Sequence, residues 1–309
     1  MTDDERTDET RMPPQDWLAE RFEAHRGHLR GVAYRMLGSL SEADDAVQEA
    51  WIRLSRTNAD EVENLRAWLT TVVGRVSLNM LRSRRTRRES SLDARLDAHV
   101  PDPIVSPAVG VDPEQEAILG DSVGLALLAV LDALSPPERV AFVLHDVFGV
   151  PFDDIARIVD KTPAATRQLA SRGRRRVRGA PVPDTDLDGQ WAVVDAFLAA
   201  SRDGDFERLL SLLDPDVVLR TDGGEARPNF VSLVRGAEAV ASQAFAFRRF
   251  AEGSTRALIN GVPGGVAWTP DGRVFAVIAA TVARGRIVEL DILADPDRLR
   301  DLDLTPIAE

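Results

Sequence analysis

The sequence predicts a multidomain protein in which two all-α units precede an α+β domain. Up to residue 178 the apolar residues recur at helical spacing, and a Pro-rich stretch divides this part of the chain into two units. After residue 189, short helical segments are followed by alternating apolar and polar runs, separated by Pro-Gly, Asp-Gly and Arg-Gly turns. Helices followed by a curled antiparallel sheet indicate an α+β domain.

Composition limits the class of protein. A chain of 309 residues has the length of two or three domains. It contains no cysteine, which excludes disulfides, thiolate metal sites and cysteine nucleophiles. No apolar run reaches the roughly 18–20 residues of a membrane span, and the acidic N-terminus lacks the pattern of a signal peptide. We therefore expect a cytoplasmic protein without a metal site or a cofactor.

The formal net charge of -12 is distributed unevenly along the chain. Residues 1–16 carry six acids and two arginines, and residues 184–309 carry 21 acids and 13 arginines, so the charges of residues 17–183 cancel. An acidic average therefore does not exclude nucleic-acid binding by a basic surface in this middle part. The lack of an overall positive charge there predicts weak DNA binding in the absence of a protein partner.

Residues Phe152–Arg178 have the pattern of two helices joined by a tight turn. Thr162 is placed as an N-cap, with Pro163 at the first helical position. From Lys161 to Arg178 there are seven cations and no acid. This combination is typical of a helix-turn-helix whose second helix enters a DNA major groove; the alternative is a solvated basic helix end. The outer face of the second helix carries the candidate DNA-binding residues Thr162, Arg167, Gln168, Ser171, Arg172, Arg174 and Arg175.

The first unit begins with two helices. Residues 17–37 form the first, which Gly38 ends as a C-cap. The second shows an apolar inner face and a mostly acidic outer face that has Ile52 in its middle. An aliphatic residue ringed by carboxylates is either the centre of a docking patch for a basic protein or an ordinary exposed side chain. The candidate docking residues are Asp44, Asp45, Gln48, Glu49 and Ile52.

A long helix follows from Asn64 to about Arg88. Its predicted buried stripe contains Leu69, Val73 and Val76, its predicted outer side includes Leu78, and it ends in RSRRTRR. A basic helix with an adjacent Trp and Asn suits phosphates and an unstacked base; the alternative is an amphipathic helix with a solubilising arginine tail. The candidate DNA-binding residues here are Asn64, Arg66, Trp68, Arg75, Asn79, Arg82 and Arg85.

Linker composition predicts where the domains begin and end. The Pro-rich segment between the two helical units cannot form a core and is expected to be extended and flexible. A second, acidic Pro-containing linker precedes the α+β domain. The predicted organisation is a disordered acidic tail (1–16), a first helical domain (17–95), a linker (96–112), a second helical domain (113–179), a linker (180–189) and an α+β domain (190–309).

The C-terminal domain offers little for catalysis. Residues 184–309 contain no His, Cys, Tyr or Lys, so acid–base chemistry would require carboxylates with strongly raised pKa values. Asp291 and Glu289 on the last strand are the best placed, but we expect them to face solvent or to pair with arginine. The predicted helices span residues 191–200, 206–213 and 233–247, and the predicted strands span 217–220, 256–260, 265–268, 274–283 and 287–293. We predict no catalytic residue.

Four stretches resemble regions 2 and 4 of the extracytoplasmic-function sigma factors: YRMLGSLSEADDAVQEAWIRL, NLRAWLTTVVGRVSLNMLRSRR, LSPPERVAFVLHDVFGVPFDDIA and AATRQLASRGRRRVR. The resemblance runs from Trp17 to about Arg178. It implies a dissociable promoter-recognition subunit of bacterial RNA polymerase. In such a protein the Ile52 face docks on the clamp helices of the β′ subunit, and the long basic helix with its preceding loop captures a flipped −10 base. The helix-turn-helix reads the −35 element beside the β flap.

The C-terminal domain resembles the SnoaL-like members of the cone-shaped NTF2-like superfamily, whose central pocket suits a small ligand. In sigma factors with this extension, the domain takes the place of a separate anti-sigma protein. The family's Asp-Gly-Gly-Gly-Lys turn corresponds to Asp222-Gly223-Gly224-Glu225, without the Lys, and its Asn-Pro-Asp-Lys-Leu motif to Asp295-Pro296-Asp297-Arg298-Leu299. The Trp-Leu-Pro-Glu-Pro linker motif corresponds to His99-Val100-Pro101-Asp102-Pro103, without the Trp. The resemblance assigns the two C-terminal motifs to regulatory contacts between domains.

Two other functions remain open from the sequence. One is a one-component helix-turn-helix regulator whose C-terminal pocket senses a small molecule, which would bind promoter duplex tightly without polymerase. The other is an enzyme tethered to DNA, which would require turnover by residues 184–309.

Overall fold

A computed structural model of the chain describes residues 15–57, 62–89, 98–108, 125–246 and 253–307. The predicted acidic tail lies outside the described residues, except that Gln15 and Asp16 already belong to the first helix. The tip of the loop after residue 57, both ends of the first linker and the start of the second helical unit also lie outside them.

The first unit consists of three helices. They are α1 (Gln15–Leu37), α2 (Leu40–Leu54) and α3 (Leu65–Glu89). Gly38 ends α1 in a left-handed conformation (φ 67°), which a glycine adopts without strain. The prediction that Leu78 lies on the outer side of α3 is wrong, because its side chain is only 1% exposed. Its burial follows from packing on several sides of α3, which contacts α1 and α2 and also the second helical unit.

The second unit contains the helix-turn-helix. Its helices are α4 (Leu125–Asp132), α5 (Pro136–Phe142, continued by a π-helical turn Val143–Val147), α6 (Phe152–Val159) and α7 (Pro163–Val177). Asp160 ends α6 in a left-handed conformation (φ 57°), and the Thr162 hydroxyl caps α7 by accepting from the N–H of Ala165 at 3.2 Å. Gly173 lets α7 approach α5, since a Cβ at this position would lie 2.9 Å from the Cβ of Phe142.

The C-terminal unit combines helices with a mixed sheet. Its helices are α8 (Leu187–Asp203), α9 (Phe206–Leu212), α10 (Ala237–Ala246) and α11 (Pro296–Arg300). Its strands are β2 (Leu213–Asp222), β3 (Ser232–Arg235), β4 (Ser254–Ile259), β5 (Val262–Trp268), β6 (Val274–Ala283) and β7 (Arg286–Leu293). Residues 233–235 were predicted to be helical, but they pair with β2, and the helix starts only after Gly236 (φ 91°).

The sheet has the order β1-β4-β5-β6-β7-β2-β3, where β1 is Val105–Pro107. Its pairs are antiparallel except for β2, which runs parallel to β7. The prediction of a wholly antiparallel sheet is therefore wrong at this one pair. Strand alternation determines the direction of each side chain but not the partner strand, so the sequence pattern does not distinguish the two arrangements.

Strand β1 belongs to the Pro-rich linker. Val105 pairs with Ile259 and Pro107 with Ala257, so the linker extends the C-terminal sheet at its edge. Val100, Ile104 and Val105 are buried. Residues 98–108 are extended as predicted, but the prediction that this segment cannot form a core is wrong, because it supplies a strand and buried apolar side chains to the fold. This strand also covers the edge of β4, which would otherwise carry unpaired backbone groups.

The C-terminal sheet separates two apolar cores. On one face, α8, α9 and α10 pack against side chains such as Leu219, Ala280 and Leu290. On the other face, Ile259, Val277 and Leu293 belong to a continuous core that contains residues of the linker and of both helical units. The C-terminal domain therefore packs directly on the part of the chain that carries the predicted DNA-binding helices.

Candidate nucleic-acid and interdomain sites

The outer face of α7 presents a basic surface. Thr162, Arg167, Gln168, Ser171, Arg172 and Arg175 are exposed. Arg174 differs from them, since it is half-buried and its Nε lies 2.6 Å from the Asp146 carboxylate. A planar guanidinium and an amide on an exposed helix face can each form two hydrogen bonds to a base edge. The predicted residues thus lie together on one side of α7, with Arg174 held by a partner within the protein.

A basic cleft lies beside α3. It has a volume of about 390 Å³ and is lined by Arg53, Arg56, Thr57, Trp68, Thr71, Val72 and Arg75. An aromatic ring surrounded by arginines can stack on a base and bind its phosphates. The sequence interpretation found Trp68 and Arg75 but missed the residues from the end of α2. Arg53 and Arg56, two arginines just before the polar loop, were the sequence feature that could have identified them.

The remaining candidates of α3 occupy its start and its far end. The Asn64 side chain caps the helix, since its Oδ1 accepts from the N–H of Ala67 at 3.0 Å. Arg66 lies 3.3 Å from the ring of His28. Burial and the charge of Arg66 lower the pKa of His28 to about 4, so this ring is uncharged at neutral pH. Asn79, Arg82 and Arg85 are exposed along the outer side of α3.

The candidate docking face lies on α2. Asp44, Asp45 and Gln48 are exposed, whereas Glu49 and Ile52 are half-buried. Two of its carboxylates already have arginine partners: Arg30 donates to Asp44 at 2.7 Å, and Arg53 donates to Glu49 at 2.8 Å. The face therefore combines an accessible aliphatic side chain with carboxylates that are partly neutralised. Such a surface suits a protein partner better than it suits DNA, whose phosphates it would repel.

The second helical unit covers part of α3. Gly74 makes this possible, since a Cβ there would lie 3.1 Å from Leu144 Cδ1 and 3.3 Å from Ile158 Cδ1. The guanidinium of Arg75 donates to the carbonyl of Arg157 at 3.1 Å. The rings of His28 and Phe148 meet edge to face. One predicted DNA-binding residue of α3, Arg75, is thus bonded to the helix-turn-helix unit.

Arg298 connects the linker to the C-terminal domain. Its Nε donates to Asp102 Oδ1 at 2.8 Å, its Nη1 donates to Asp222 Oδ2 at 2.8 Å, and its Nη2 donates to the carbonyl of Val100 at 2.5 Å. Asp222 Oδ2 also accepts from the N–H of Val100 at 3.1 Å and lies 3.0 Å from His99 Nδ1. We call these five residues the linker junction.

Electrostatics stabilise the linker junction. Burial alone would raise the pKa of Asp222, but the hydrogen bond from His99 and the charge of Arg298 outweigh burial and lower this pKa to about 2. Asp102 extends the junction to the first helical unit, because its Oδ2 accepts from the N–H of Leu40 at 3.0 Å. The junction therefore joins the N-terminal unit, the linker and the C-terminal domain.

The other predicted interdomain residues lie outside the linker junction. Gly223 approaches Arg227 and Phe230 closely, and Gly224 (φ 61°) leaves room for the Asp295 carboxylate. Asp295 and Pro296 begin α11, and Leu299 is buried in the core shared with the helical units. Asp297 is exposed and pairs with Arg300 on its own helix.

A second contact between domains involves Tyr34 and Asn260, which the sequence interpretation missed. The Asn260 side chain is fully buried; its Oδ1 accepts from the N–H of Ile104 and its Nδ2 donates to Tyr34 Oη, both at 2.8 Å. Tyr34 Oη in turn donates to the carbonyl of Asp102 at 2.6 Å. The only available signals were the single tyrosine of the chain and the Asn-Gly pair at 260–261.

Comparison with known proteins identifies the class. The family model of Sigma-70 region 2 matches residues 21–87, and that of Sigma-70 region 4 matches residues 124–177. The chain is 37% identical to the ECF RNA polymerase sigma factor SigJ of Mycobacterium tuberculosis over 293 residues, which cover 90% of this chain and 91% of the relative. This chain belongs to the extracytoplasmic-function sigma factors. It is also 35% identical over 295 residues to the probable ECF sigma factor SigI of M. tuberculosis, covering 94% and 98% of the two chains.

The crystal structure of SigJ resembles that of this sigma factor along most of the chain. The TM-score is 0.74 at 34% sequence identity, and the match covers 91% of this chain and 97% of the other. The sigma factor thus has helical region 2 and region 4 domains followed by a C-terminal α+β domain, as predicted. The alternative of a one-component regulator is not favoured by these relatives. Among the residues that the structure describes, none of the helices has the length and hydropathy of a transmembrane segment.

The carboxylates considered for catalysis pair with an arginine. Arg220 of β2 binds both Glu289 and Asp291 of β7, the latter at 2.8 Å. Burial and the neighbouring Asp291 raise the pKa of Glu289 to about 7, against the opposing effect of Arg220, and burial raises the pKa of Asp291. Both carboxylates lie on the opposite face of β7 from Leu290 and Ile292, which line the central cavity of the domain. The acids therefore do not face that cavity.

The raised pKa of Glu289 predicts a pH dependence of stability. The folded state binds the proton of Glu289 more tightly than the unfolded state does. The stabilisation that this proton gives is therefore complete below the ordinary pKa of a glutamate and is lost as the pH rises through about 7. We expect the free energy of unfolding to fall more between about pH 5 and about pH 8 in the wild type than in Glu289→Gln. Urea titrations of both proteins measure the difference. Parallel pH curves would contradict the buried, proton-binding position of Glu289.

Proposed function

We propose that this sigma factor acts in the cytoplasm and divides promoter recognition between its two helical domains. The α2 face around Ile52 docks on the β′ clamp helices of core RNA polymerase. Helix α3 and the cleft around Trp68 hold an unstacked −10 base, and the exposed face of α7 reads the −35 duplex beside the β flap. The grouping of these residue sets on accessible faces of α2, α3 and α7 and the family of the chain support this division.

We further propose that the C-terminal domain regulates the sigma factor through the linker. The observation that carries this proposal is the linker junction, in which Arg298 binds the linker residues Val100 and Asp102 together with Asp222. While the linker pairs with β4, it cannot move independently of the C-terminal domain. Region 4 is at the same time packed on α3 and bonded to Arg75. This arrangement is a restrained form of the protein.

The restrained form differs from the form required on a promoter. The −10 and −35 elements are separated by more than one turn of duplex, about 34 Å, so the two readers must engage DNA apart from each other. Separation of region 4 from α3 frees Arg75 for the −10 strand. Release of the linker from β4 supplies the length of chain that connects the separated readers. A contact that retains the linker therefore lowers the population of the active form.

The C-terminal domain has no catalytic task in this proposal. The carboxylates suited to acid–base chemistry are buried with Arg220 and face away from the central cavity. None of the described residues that line the cavity is titratable. The family of the chain consists of transcription factors, which agrees with a regulatory use of the domain.

Replacement of Arg298 tests the regulatory proposal. We expect Arg298→Ala to increase run-off transcription by core polymerase on a cognate promoter by about fivefold at limiting sigma factor, because the linker loses its charged partner. Arg300→Ala is the matched control, since Arg300 lies on the same helix, is exposed and pairs only locally with Asp297. The two proteins are compared at equal concentration after their folding has been checked by circular dichroism.

The outcome decides between two interpretations of the linker junction. Unchanged transcription by a folded Arg298→Ala protein would contradict a restraining role of the C-terminal domain. A loss of transcription with an intact fold would mean that the junction supports the active form instead. Either result would leave the membership of the sigma-factor family unaffected.

A further inference from the structure

The C-terminal domain contains a partly open apolar cavity between its helices and the sheet. The cavity has a volume of about 120 Å³ and is walled by α8, α10 and the inner face of the sheet. Several large apolar side chains, including Leu198, Phe230, Phe275 and Ile278, are only half-buried although they belong to the interior of the domain, because they border this space. An engineered protein cavity of roughly 150 Å³ lined by similar residues stays dry and binds benzene. The cavity therefore has the size of one small ring.

The chemistry of the walls defines the class of ligand. Of the described residues lining the cavity, none is charged, and the polar ones are Ser201, Thr221, Gln243 and Ser254. The Ser201 hydroxyl already donates to the carbonyl of Ala244 at 3.1 Å. A charged molecule would lose its hydration here without gaining a partner charge, which strongly disfavours its binding. A neutral ring with at most one or two hydrogen-bonding groups meets no such penalty.

One short segment connects the cavity to the linker junction. Asp222 at its start binds the linker, and Phe230 at its end borders the cavity, where its ring lies 5.7 Å from that of Phe275. Arg227, between them, donates to the carbonyls of Phe275 and Ala294, each at 2.9 Å. Ala294 lines the cavity and its N–H donates to the carbonyl of Asp222 at 2.7 Å. A shift of Asp222 therefore disturbs the cavity wall.

We propose that this cavity binds a small, uncharged, ring-sized apolar molecule and that binding strengthens the restraint on the linker. The ring-sized space exists while Asp222 holds the linker, so a ligand that fills it favours that conformation over conformations in which the segment from Asp222 to Phe230 has moved. The ligand is thus a co-inhibitor of the sigma factor. The coupling rests on the regulatory function proposed above, whereas the binding site does not.

Binding is tested on the full-length protein with toluene as the probe and benzoate as its charged counterpart. We expect saturating toluene to raise the melting temperature by about 2–4 °C and benzoate to have no effect at the same concentration. Ile278→Trp from the sheet and Leu198→Phe from α8 each fill the cavity, so at least one folded variant is expected, and it should lose the toluene shift. Equal shifts by toluene and benzoate, or a toluene shift that persists in a folded filled variant, would overturn the assignment of the site.

Transcription tests the coupling. We expect saturating toluene to reduce run-off transcription by the wild type about fivefold and to leave transcription by the filled variant and by Arg298→Ala unchanged. If toluene binds but transcription does not change, while Arg298→Ala still activates, the coupling is wrong and the regulatory proposal stands. If Arg298→Ala has no effect but toluene binds with the predicted selectivity, the regulatory proposal fails and the binding site stands. Increased transcription with toluene would overturn the direction of the coupling.

Discussion

Arg175→Ala is expected to reduce transcription from a −35-dependent promoter about tenfold or more, while binding to core polymerase stays at the wild-type level. Arg175 is exposed on the outer face of α7. An arginine in this position can form two hydrogen bonds to a guanine, and losing such a pair costs about 1–3 kcal/mol. Run-off transcription measures the first effect, and a fluorescence binding assay with core polymerase measures the second.

The neighbouring residue provides the matched control. Arg174 has the same charge, but it is half-buried and paired with Asp146, so Arg174→Ala should lower the stability of region 4 more than it lowers promoter reading by the folded protein. Ile52→Arg should show the reverse pattern to Arg175→Ala, with core binding lost. Loss of core binding in Arg175→Ala, with the fold intact, would be incompatible with a −35-reading role.

Asn260→Ala is expected to destabilise the protein by about 3 kcal/mol, since a buried polar group leaves its partners unsatisfied when it is removed. The side chain of Asn260 is fully buried and bonded to the N–H of Ile104 and to Tyr34 Oη. These hydrogen bonds connect the linker to the sheet and, through Tyr34, to α1. Urea denaturation measures the stability, and hydrogen–deuterium exchange of the amides of residues 104–106 should show lost protection of the linker strand.

A glycine variant distinguishes the effect of losing the Asn260 side chain from the effect of backbone strain at this position. Asn260 has a φ of 50°, which asparagine and glycine tolerate better than alanine does. Asn260→Gly removes the same hydrogen bonds without that strain, so most of the loss should persist in it if the side chain is responsible. Wild-type stability together with full amide protection of residues 104–106 in both variants would show that this contact does not hold the linker.

Much of the helical part was predictable because its signals are local. The Thr162 cap, Pro163 and the cationic outer face of α7 lie within a few residues of one another, and each acts on the helix that contains it. Leu78 shows the limit of this approach. On α3 alone it belongs to the outer face, and it is buried because α3 packs against other elements on several sides.

The candidate sites were likewise predictable where local patterns determine them and not where distant residues meet. The outer faces of α2, α3 and α7 could be predicted, since exposed polar residues at helical spacing identify a face without knowledge of its partner. The linker junction was predicted in part, through the resemblance of two C-terminal motifs, but Asp102 and His99 were not recognised as their partners. The Tyr34–Asn260 contact was missed because no local pattern relates two residues separated by 226 positions.

The helices of regions 2 and 4, their exposed basic and acidic faces, and the alternation of the C-terminal strands could all be read from the sequence. Local caps, turns and periodicity dictate these features within a single element. Only the tertiary structure decided that the Pro-rich linker becomes an edge strand, that β2 runs parallel to β7, and that Glu289 and Asp291 pair with Arg220 away from the cavity. The physical reason is that a strand acquires its partner, and a charge its counter-ion, from distant parts of the chain that meet only when the domains pack together.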